Sequence, residues 1–392
     1  MRLLFCYLAE KVYEDENGDL YVSGNFTPEV WDRYLALTDD LHVLMTLMPN
    51  KINSNRSTGS FQKIDSKNIT IHPIPVNTDS VKKYFSLTLR KKRRLIIEQE
   101  IEKAENIIIR TVSKELIKLC DKHNKRYAIE VVGCAFESLW NHSIKGKVLA
   151  IPNYFHTKKL ILKAPYVLYV TKEYLQKKYP TKGKTISCSN VSLTNVSKNI
   201  LENRINKIVS DKDKLIIGTA AAVNVKYKGQ KYVIKALALL KKKGINNLEY
   251  QLVGGGDASC LLKYAKKYGV EDKVIIKGRL SHDRVMEWLQ DIDIYVQPSL
   301  TEGLPRSVIE AMSYGITTIG SNVGGIPELL ASDMVFKKRS SSQIANIIKK
   351  LTNEMMIQMA YENYNKARDY NEEILKKRRF NFYSSFINDK SE

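Results

Sequence analysis

From Lys214 onward, short apolar runs alternate regularly with amphipathic segments. The apolar runs are LIIGTAAA, YQLVGGG, KVIIKG, IYVQPS, TTIGS and MVFK, and the segments between them are YVIKALALLKK, LLKYAKKYG, HDRVMEWLQ, VIEAMSYG and IPELL. Continuous apolar strands separated by amphipathic helices are typical of a parallel sheet covered on both faces. The pattern predicts a doubly wound α/β domain in the second half of the chain.

The first half shows a looser version of the same pattern. Its predicted strands cover residues 2–6, 42–47, 106–110, 127–132 and 166–171. Its predicted helices cover residues 27–37, 91–104 and 113–123. A chain of 392 residues is long for one core, so we expect two doubly wound α/β domains, and a site could lie between them.

A polar stretch at residues 192–213 separates the two halves. We therefore place the first domain at residues 1–200 and the second at residues 208–370. The last charged helix, at about residues 371–392, carries Phe380, Tyr383 and Phe386 at helical spacing. This spacing predicts that the helix packs back on the first domain.

The chain is strongly basic, with 63 Lys and Arg residues against 42 Asp and Glu residues and a formal net charge of +21. Such a charge favours an anionic partner, which could be nucleic acid, an anionic membrane surface or a phosphorylated ligand. The lysine-rich runs at residues 91–94, 241–243 and 376–379 lie beside no RNA-recognition motif or finger-type metal spacing. We therefore expect a solvated basic face and no nucleic-acid partner.

The five cysteines are far apart and form no CxxC pair. Neither a disulfide framework nor a zinc site is indicated, which fits a reducing cytoplasm. The apolar opening LLFCYLA is too short for a secretory signal or a membrane span, so it is predicted to be a buried strand.

The stretch PSLTEGLPRSVIEAMSYG, residues 298–315, follows a predicted strand and enters a predicted helix. Gly303 allows a ligand to approach the backbone, and Pro305 suits the first helical turn. The helix N-terminus favours a phosphate, while the carboxylates of Glu302 and Glu310 suit vicinal hydroxyl pairs. An extended ligand with a phosphate between two hydroxyl-rich rings fits this spacing. The alternative makes Glu302 a turn or cap residue and Glu310 a glutamate favoured by the helix dipole.

The two glutamates form an E-x7-E pattern within PSLTEGLPRSVIEAMSYGITTIGSNVGGIPELL. This stretch resembles the signature of the retaining glycosyltransferases of family 4 (group 1), which have the GT-B fold of two facing Rossmann-like domains. The resemblance is specific over residues 293–330 and weaker over 214–278. It implies a retaining transferase that moves a sugar from a nucleotide-diphosphate donor, expected to be a UDP-sugar, to a glycan or lipid-linked acceptor in surface polysaccharide biosynthesis. A GT-B nucleotide-sugar epimerase and a non-catalytic nucleotide-sugar binding module remain alternatives.

The resemblance assigns roles to matching residues. Glu302 would bind hydroxyls of the transferred sugar, and Glu310 the ribose hydroxyls of the nucleotide. Backbone N–H groups around Gly303 and Leu304 would help to hold the sugar and diphosphate. Lys228, in YKGQKYVIKAL, would bind the phosphates and stabilise the departing nucleotide diphosphate.

The sequence departs from the family pattern near this lysine. The position where many members have an arginine is Val223, and Lys226 is the candidate substitute, although an ammonium is not equivalent to a guanidinium fork. Arg279, in GRLSH, is a candidate contact to the base. LVGGGDAS is expected to be a strand-to-helix turn. The DID at residues 291–293 resembles a metal-binding DxD, yet the family pattern implies no metal and no other cofactor.

In the first half, Gly24 in VSGNFTPEVW resembles the family's glycine loop facing the donor diphosphate. The family's mid-domain histidine is absent, and Glu130 is the nearest polar candidate for a catalytic role, with Glu137 and His142 further along. Glu130 could equally be a salt-bridged strand residue. The resemblance places the donor in the second domain and the acceptor in the first. The basic surface suggests peripheral contact with an anionic membrane at its cytoplasmic face.

Overall fold

The computed structural model describes residues 1–23, 26, 28–49, 51–52, 61–75, 87–141, 143–193 and 198–389. These residues fold into two α/β domains, each built on a largely parallel sheet. In both sheets the first strand of the domain lies in the middle, with later strands added on either side, which is the doubly wound arrangement. The predicted fold class is therefore confirmed.

The sheet of the first domain has nine strands among the described residues. They are β1 (Arg2–Glu14), β2 (Leu20–Ser23), β3 (Asp40–Leu47), β4 (Phe61–Lys63), β5 (Ile69–Pro75), β6 (Asn106–Arg110), β7 (Tyr127–Val131), β8 (Tyr166–Tyr169) and β9 (Lys184–Ser187). The parallel order is β5-β3-β1-β6-β7-β8-β9, and β2 and β4 extend antiparallel from the end of β1. The strand order reverses between β1 and β6, and such a switch point is where open α/β sheets bind ligands.

Helices cover both faces of this sheet. Those described are α1 (Pro28–Leu35), α2 (Leu87–Lys103), α3 (Lys114–Lys122), α4 (Ala135–Trp140), α5 (Ile144–Lys163) and α6 (Tyr174–Lys178). Helix α3 begins where predicted because the Ser113 side chain accepts a hydrogen bond from the Leu116 N–H and caps it. Helix α5 was not predicted, since it contains Pro152 and carries many of its apolar side chains on the solvent side.

The second domain has six strands within residues 198–389, all of which are described. They are β10 (Leu215–Ala220), β11 (Leu248–Val253), β12 (Val274–Gly278), β13 (Ile294–Gln297), β14 (Thr317–Ser321) and β15 (Val335–Phe336). They lie parallel in the order β12-β11-β10-β13-β14-β15, so the switch point falls between β10 and β13. The helices are α7 (Lys198–Val209), α8 (Gln230–Lys241), α9 (Ser259–Tyr268), α10 (His282–Asp291), α11 (Arg306–Ser313), α12 (Ile326–Leu329), α13 (Ser341–Lys350), α14 (Asn353–Arg368) and α15 (Glu372–Asn388).

The polar stretch between the domains contains helix α7. This helix is fixed to the second domain by Arg204, which is 4% exposed and donates hydrogen bonds to the main-chain oxygens of Leu289, Ile292 and Tyr314. A polar sequence pattern thus conceals an ordered helix, because a buried guanidinium satisfies several backbone carbonyls at once.

The last helix, α15, packs against the first domain. Its Tyr383 and Phe386 side chains are fully buried, and Phe386 O accepts a 2.8 Å hydrogen bond from Arg126 Nη2. Phe380, which the sequence grouped with them, is 44% exposed. The buried face instead follows the i, i+4, i+7 spacing of Leu375, Arg379 and Phe382.

No helix in the described ranges is both long enough and apolar enough to cross a membrane.

Candidate functional site

The loops that follow β10 and β13 meet at the switch point of the second domain. Gly229 has φ of +77°, and a Cβ there would lie 2.0 Å from Pro298 O, so glycine is required for this close approach. The Leu300 N–H donates a 2.7 Å hydrogen bond to Tyr227 O. These two contacts fix the turn that carries Lys228 against the loop that carries Glu302.

Glu302 is the centre of a polar network. Its Oε1 accepts hydrogen bonds from Lys228 Nζ at 2.7 Å, Ser299 Oγ at 2.7 Å and Gln297 Nε2 at 3.0 Å. Gln297 is in turn held by Tyr295, whose hydroxyl donates to Gln297 Oε1 at 2.9 Å. The structure therefore brings together Lys228 and Glu302, and it holds the carboxylate in one orientation at the C-terminal edge of the sheet.

Glu310 lies within helix α11, which begins at Arg306 with Pro305 as the residue before it. Burial raises the pKa of Glu310, while the positive charges of Arg306 and His282 work in the opposite direction. Among the described residues, none donates a hydrogen bond to its carboxylate. A half-buried carboxylate of this kind is suited to accept hydrogen bonds from ligand hydroxyls.

The other predicted donor residues surround the same edge. Lys226 is exposed on the turn before Gly229. Val223, at the position of the expected arginine, is 3% exposed and its N–H donates to Gly255 O at 3.1 Å. Arg279 follows β12, and its side chain lies over Gly255, within 3.7 Å of the position of an added Cβ. The backbone of Val223 thus joins the loop after β10 to the glycine turn.

Gly303 and Leu304 lie at the contact between the two domains. A Cβ on Gly303 would lie 2.1 Å from Val132 O of the first domain, so this loop approaches its neighbour as closely as only glycine allows. Leu304 packs against the hydrophobic cores of both domains. The loop with the E-x7-E pattern therefore also forms part of the contact between the two domains, which we call the seam.

A carboxylate from the second domain caps a helix of the first. Glu328 accepts hydrogen bonds from the backbone N–H groups of Lys172, Glu173 and Tyr174, at 2.6, 3.1 and 2.6 Å. These groups begin helix α6, where free N–H groups and the helix dipole favour a negative charge. Glu328 thereby ties the domains together beside the cleft.

Glu137 adds a second polar contact across the seam. Its carboxylate accepts hydrogen bonds from Thr301 Oγ1 at 3.2 Å and from Tyr174 Oη at 2.8 Å. Of the first-domain candidates named from the sequence, Glu137 is thus the one placed beside the Glu302 loop. Gly24 and His142 lie outside the described residues.

The structure contradicts the prediction that Glu130 is catalytic. The residue is 0% exposed, and its Oε1 accepts hydrogen bonds from Tyr34 Oη at 2.9 Å and Tyr383 Oη at 2.6 Å. Burial by itself raises the pKa of Glu130, but Arg110, Arg379 and the two tyrosines outweigh burial and lower it. Glu130 is an ionised core residue that cannot contact a substrate, which agrees with the alternative of a salt-bridged strand residue.

Asp293 of the DID sequence has a structural role. Its carboxylate accepts hydrogen bonds from the Ile216 N–H at 2.8 Å and from Lys212 Nζ at 2.7 Å, which fixes the start of β10. Two groups elsewhere have metal-like spacing within the described chain. They are His42 with His72 and Glu100, and Glu98 with Glu102 and His123, and each already has protein partners. That the reaction needs no metal stays a prediction.

Gln297 and Ser299 orient Glu302 but were not identified from the sequence. The available signal was polarity, because Gln297 interrupts the apolar run of a buried strand and is 1% exposed. Glu328 gave no such signal, since its partners are backbone groups more than 150 residues away.

Comparison with known proteins places this site in a family. Residues 202–371 match the family model described as Glycosyl transferases group 1. Protein CapJ of Staphylococcus aureus is 32% identical over 404 residues, which cover 99% of this chain and 97% of that protein.

Two solved structures share the fold over the whole chain. Anabaena HepE in complex with UDP-glucose has a TM-score of 0.67 at 16% identity, covering 98% of this chain and 100% of that one. WaaG, a glycosyltransferase involved in lipopolysaccharide biosynthesis, has a TM-score of 0.65 at 14% identity, covering 99% and 100%. The chain belongs to the group 1 glycosyltransferases, and it is a glycosyltransferase with the GT-B fold.

Proposed function

We propose that this enzyme is a retaining glycosyltransferase that transfers a sugar from a nucleotide-diphosphate sugar, with UDP as the expected nucleotide. The acceptor is a glycan or lipid-linked glycan of surface polysaccharide biosynthesis. The observation that carries the proposal is the pair of Lys228 and Glu302, 2.7 Å apart at the switch point of the second domain. HepE, which binds UDP-glucose, and WaaG, which acts in lipopolysaccharide biosynthesis, support the two parts of this proposal.

In the proposed complex each residue has one task. Glu302 accepts hydrogen bonds from the transferred sugar, and Glu310 accepts them from the ribose diol. Lys228 turns from Glu302 toward the diphosphate and stabilises the charge that develops on it as the glycosidic bond breaks. The N-terminus of α11 adds backbone N–H groups to the same phosphates.

The chemical step needs no protein carboxylate as a base. The acceptor oxygen forms a bond to the anomeric carbon on the face from which the nucleotide diphosphate leaves. The C–O bond to the phosphate breaks, and the acceptor proton passes to the departing phosphate oxygen. The burial of Glu130 supports this route, because the nearest candidate base lies out of reach.

A donor screen tests the proposal. The purified protein is incubated with UDP-, GDP-, ADP- and dTDP-sugars. Its melting temperature and the slow hydrolysis of each nucleotide sugar are measured. One nucleotide class should raise the melting temperature by several degrees, since a ligand that binds only the folded state stabilises it. A screen in which no nucleotide sugar shifts the melting temperature or is hydrolysed would contradict a donor site here.

We also propose that helix α5 places the enzyme on an anionic membrane surface, at the cytoplasmic face. Its outer side carries Ile144, Val148, Ile151 and Phe155, exposed by 83%, 73%, 54% and 64%. These positions follow helical spacing and form one apolar stripe. Lysines line both sides of it, at positions 145, 147, 158, 159 and 163. An apolar stripe bordered by lysines is the arrangement of helices that lie in the membrane interface.

Vesicle sedimentation tests this surface. The protein should bind vesicles that contain phosphatidylglycerol and bind neutral phosphatidylcholine vesicles weakly, with salt reducing binding. Phe155→Glu should reduce binding to anionic vesicles by about tenfold. Leu262→Glu, at a residue 44% exposed on α9, is the matched control and should bind as the unmodified protein does. Equal binding by both variants would count against α5.

A further inference from the structure

A cavity of about 240 Å³ lies at the switch point of the first domain. It is lined by Tyr7 and Glu10 of β1, by Arg33 of α1, and by Arg110 at the end of β6. Leu304 and Arg306 close it from the second domain. The volume corresponds to about eight waters in the liquid, which is room for roughly one sugar ring. The cavity thus opens beside the donor loop but is built mainly by the other domain.

The charges around this cavity do not balance. Arg33, Arg110 and Arg379 all lie near enough to the buried carboxylate of Glu130 to interact with its charge, and among the described residues no second buried carboxylate joins this group. Arg33 is 9% exposed and Arg379 is 2% exposed, so water screens these charges poorly. Of the residues that line the cavity, only Glu10 is acidic, whereas Arg33, Arg110 and Arg306 are basic. Buried cations of this kind are normally paired, which indicates that an anion completes the group.

The hydrogen bonding of the arginines leads to the same conclusion. Within the described residues, Arg110 Nε and Nη1 are buried without a hydrogen-bond partner. Glu130 Oε2, which lies 3.7 Å from Arg110 Nε, also has none, so the two groups form an ion pair without a hydrogen bond. Among the residues that the structure describes, Arg33 makes only long hydrogen bonds, at 3.3 and 3.5 Å, to Asn190. Burial and the neighbouring charges of Arg379 and Arg110 lower the pKa of Arg33 to about 10. Guanidinium donors without good acceptors favour an oxyanion, which can accept two parallel hydrogen bonds.

Aromatic rings orient this group and suit a sugar. The Arg110 guanidinium carbon lies 5.2 Å from the Tyr7 ring centroid and 5.6 Å from the Phe26 ring centroid. Cation–π contacts of this kind hold the guanidinium in place before a ligand arrives. Tyr7 and Phe26 also offer apolar surface on which the C–H face of a sugar ring can pack. The cavity therefore combines an anion site with a surface for a sugar.

The donor has its own partners on the other side of the seam. Its phosphates are assigned to Lys228 and the α11 N-terminus, and these belong to the second domain. We infer that the cavity binds an oxyanion carried by the acceptor, either the carboxylate of an acidic sugar or a phosphate, with Arg33 and Arg110 as the residues that recognise it. The inference rests on the proposed function and deepens it, because it names the chemical class of the acceptor.

Direct binding tests the inference without knowledge of the natural acceptor. The affinities of glucuronate, glucose 1-phosphate and glucose are measured by calorimetry with the full-length protein saturated with UDP. Glucuronate or glucose 1-phosphate should bind about tenfold or more tightly than glucose, and the stronger of the two identifies the carboxylate or the phosphate as the acceptor group. Equal affinity for all three would overturn the inference.

Arg33→Gln is the first variant, because Arg110 and Arg379 still neutralise Glu130 in it. It should remove the preference for the anionic sugars and leave the affinity for UDP unchanged. Arg110→Gln should have the same effect, and Arg110→Lys should restore part of the preference. If Arg33→Gln lowers the affinities for UDP and for glucuronate equally, the cavity is part of the donor site and the inference is wrong. If the unmodified protein binds no nucleotide, the proposed function fails instead, which is a separate result.

Discussion

The two walls of the cleft, one from each domain, differ in the polar groups that they present. The second domain contributes the carboxylates of Glu302 and Glu310, with Lys228 between the loops, whereas the first domain contributes the guanidinium groups of Arg33 and Arg110. Carboxylates accept hydrogen bonds from hydroxyls, and guanidinium groups donate them to oxyanions. This difference is consistent with the proposal that the donor wall, from the second domain, binds the hydroxyl-rich sugar and ribose and that the acceptor wall, from the first domain, binds a charged group of the acceptor.

The largest effect is expected on the donor wall. Lys228→Ala should lower kcat by about 10²–10³-fold, because the diphosphate loses a positive charge that acts as the bond breaks. The measurement is the initial rate of transfer, or of donor hydrolysis, at saturating donor. Lys235→Ala removes the same charge from the exposed side of α8 and should retain full kcat. A fully active Lys228→Ala enzyme would contradict the proposed role of Lys228 on the donor wall.

On the acceptor wall the expected effect is on stability. Tyr383→Phe deletes the 2.6 Å hydrogen bond to the ionised, buried Glu130. The free energy of unfolding should fall by about 1.5–3 kcal/mol, which is typical of a hydrogen bond to a charged group. Urea denaturation measures it, with Phe380→Leu on the exposed side of α15 as control. Donor affinity should not change in either variant. Weaker donor binding by Tyr383→Phe would show that the two walls do not act independently.

Glu310→Gln separates donor binding from turnover. It should weaken donor binding by about tenfold with little change in kcat, since an ionised acceptor of two hydroxyl hydrogen bonds is lost. Glu302→Ala should instead reduce kcat more than donor affinity. Calorimetry with UDP and steady-state rates distinguish the two, and full activity in both variants would refute these roles.

The same residue predicts a pH dependence. Burial raises the pKa of Glu310, and ribose hydroxyls donate to its ionised form. Donor affinity should therefore be highest above this pKa and decrease as the pH falls through it, beginning at a higher pH than an exposed glutamate would give. Glu310→Gln should abolish this dependence in a titration of UDP binding. A decrease that is identical in the variant would assign the titration to another group.

The smallest effect is expected at the contact between the walls. Glu328→Ala removes the carboxylate that accepts three backbone hydrogen bonds across the seam. The closed arrangement should be less populated, so KM for the donor should rise by about two- to fivefold. Glu287→Ala, at a glutamate on α10 that is 60% exposed, provides the control. An unchanged KM would show that the other contacts across the seam, which include Gly303, Leu304 and the Thr301–Glu137 hydrogen bond, are sufficient.

The donor wall was predictable in part, because its residues lie in loops that follow apolar strands. The strand pattern predicted that these loops lie at one edge of the sheet. The resemblance of the E-x7-E spacing and the Lys-Gly turn to the family signature then singled out Lys228 and Glu302. Gln297 left a signal because it interrupts an apolar strand, but its contact with Glu302 and that of Ser299 were not identified. The sequence could not show that the backbone of Val223 joins the loop after β10 to the glycine turn.

The acceptor wall was not predictable in the same way. Arg33, Arg110, Glu130 and Arg379 come from four separate elements, and none carries a local motif. The sequence correctly placed Glu130 near the end of a strand, but the prediction that it is catalytic was wrong. Its burial depends on tyrosines that lie 96 and 253 residues away in the sequence. Helix α5 was missed for a related reason, since its apolar residues face outward and Pro152 interrupts its propensity.

The return of α15 to the first domain has a consequence for protein engineering. Arg379 and Tyr383 come from the end of the chain yet support the wall built by its beginning. A chimera that joins the first half of this enzyme to the second half of a relative would pair this wall with a foreign terminal helix. Acceptor preference should be transferred intact only when residues 372–389 are exchanged together with the first domain.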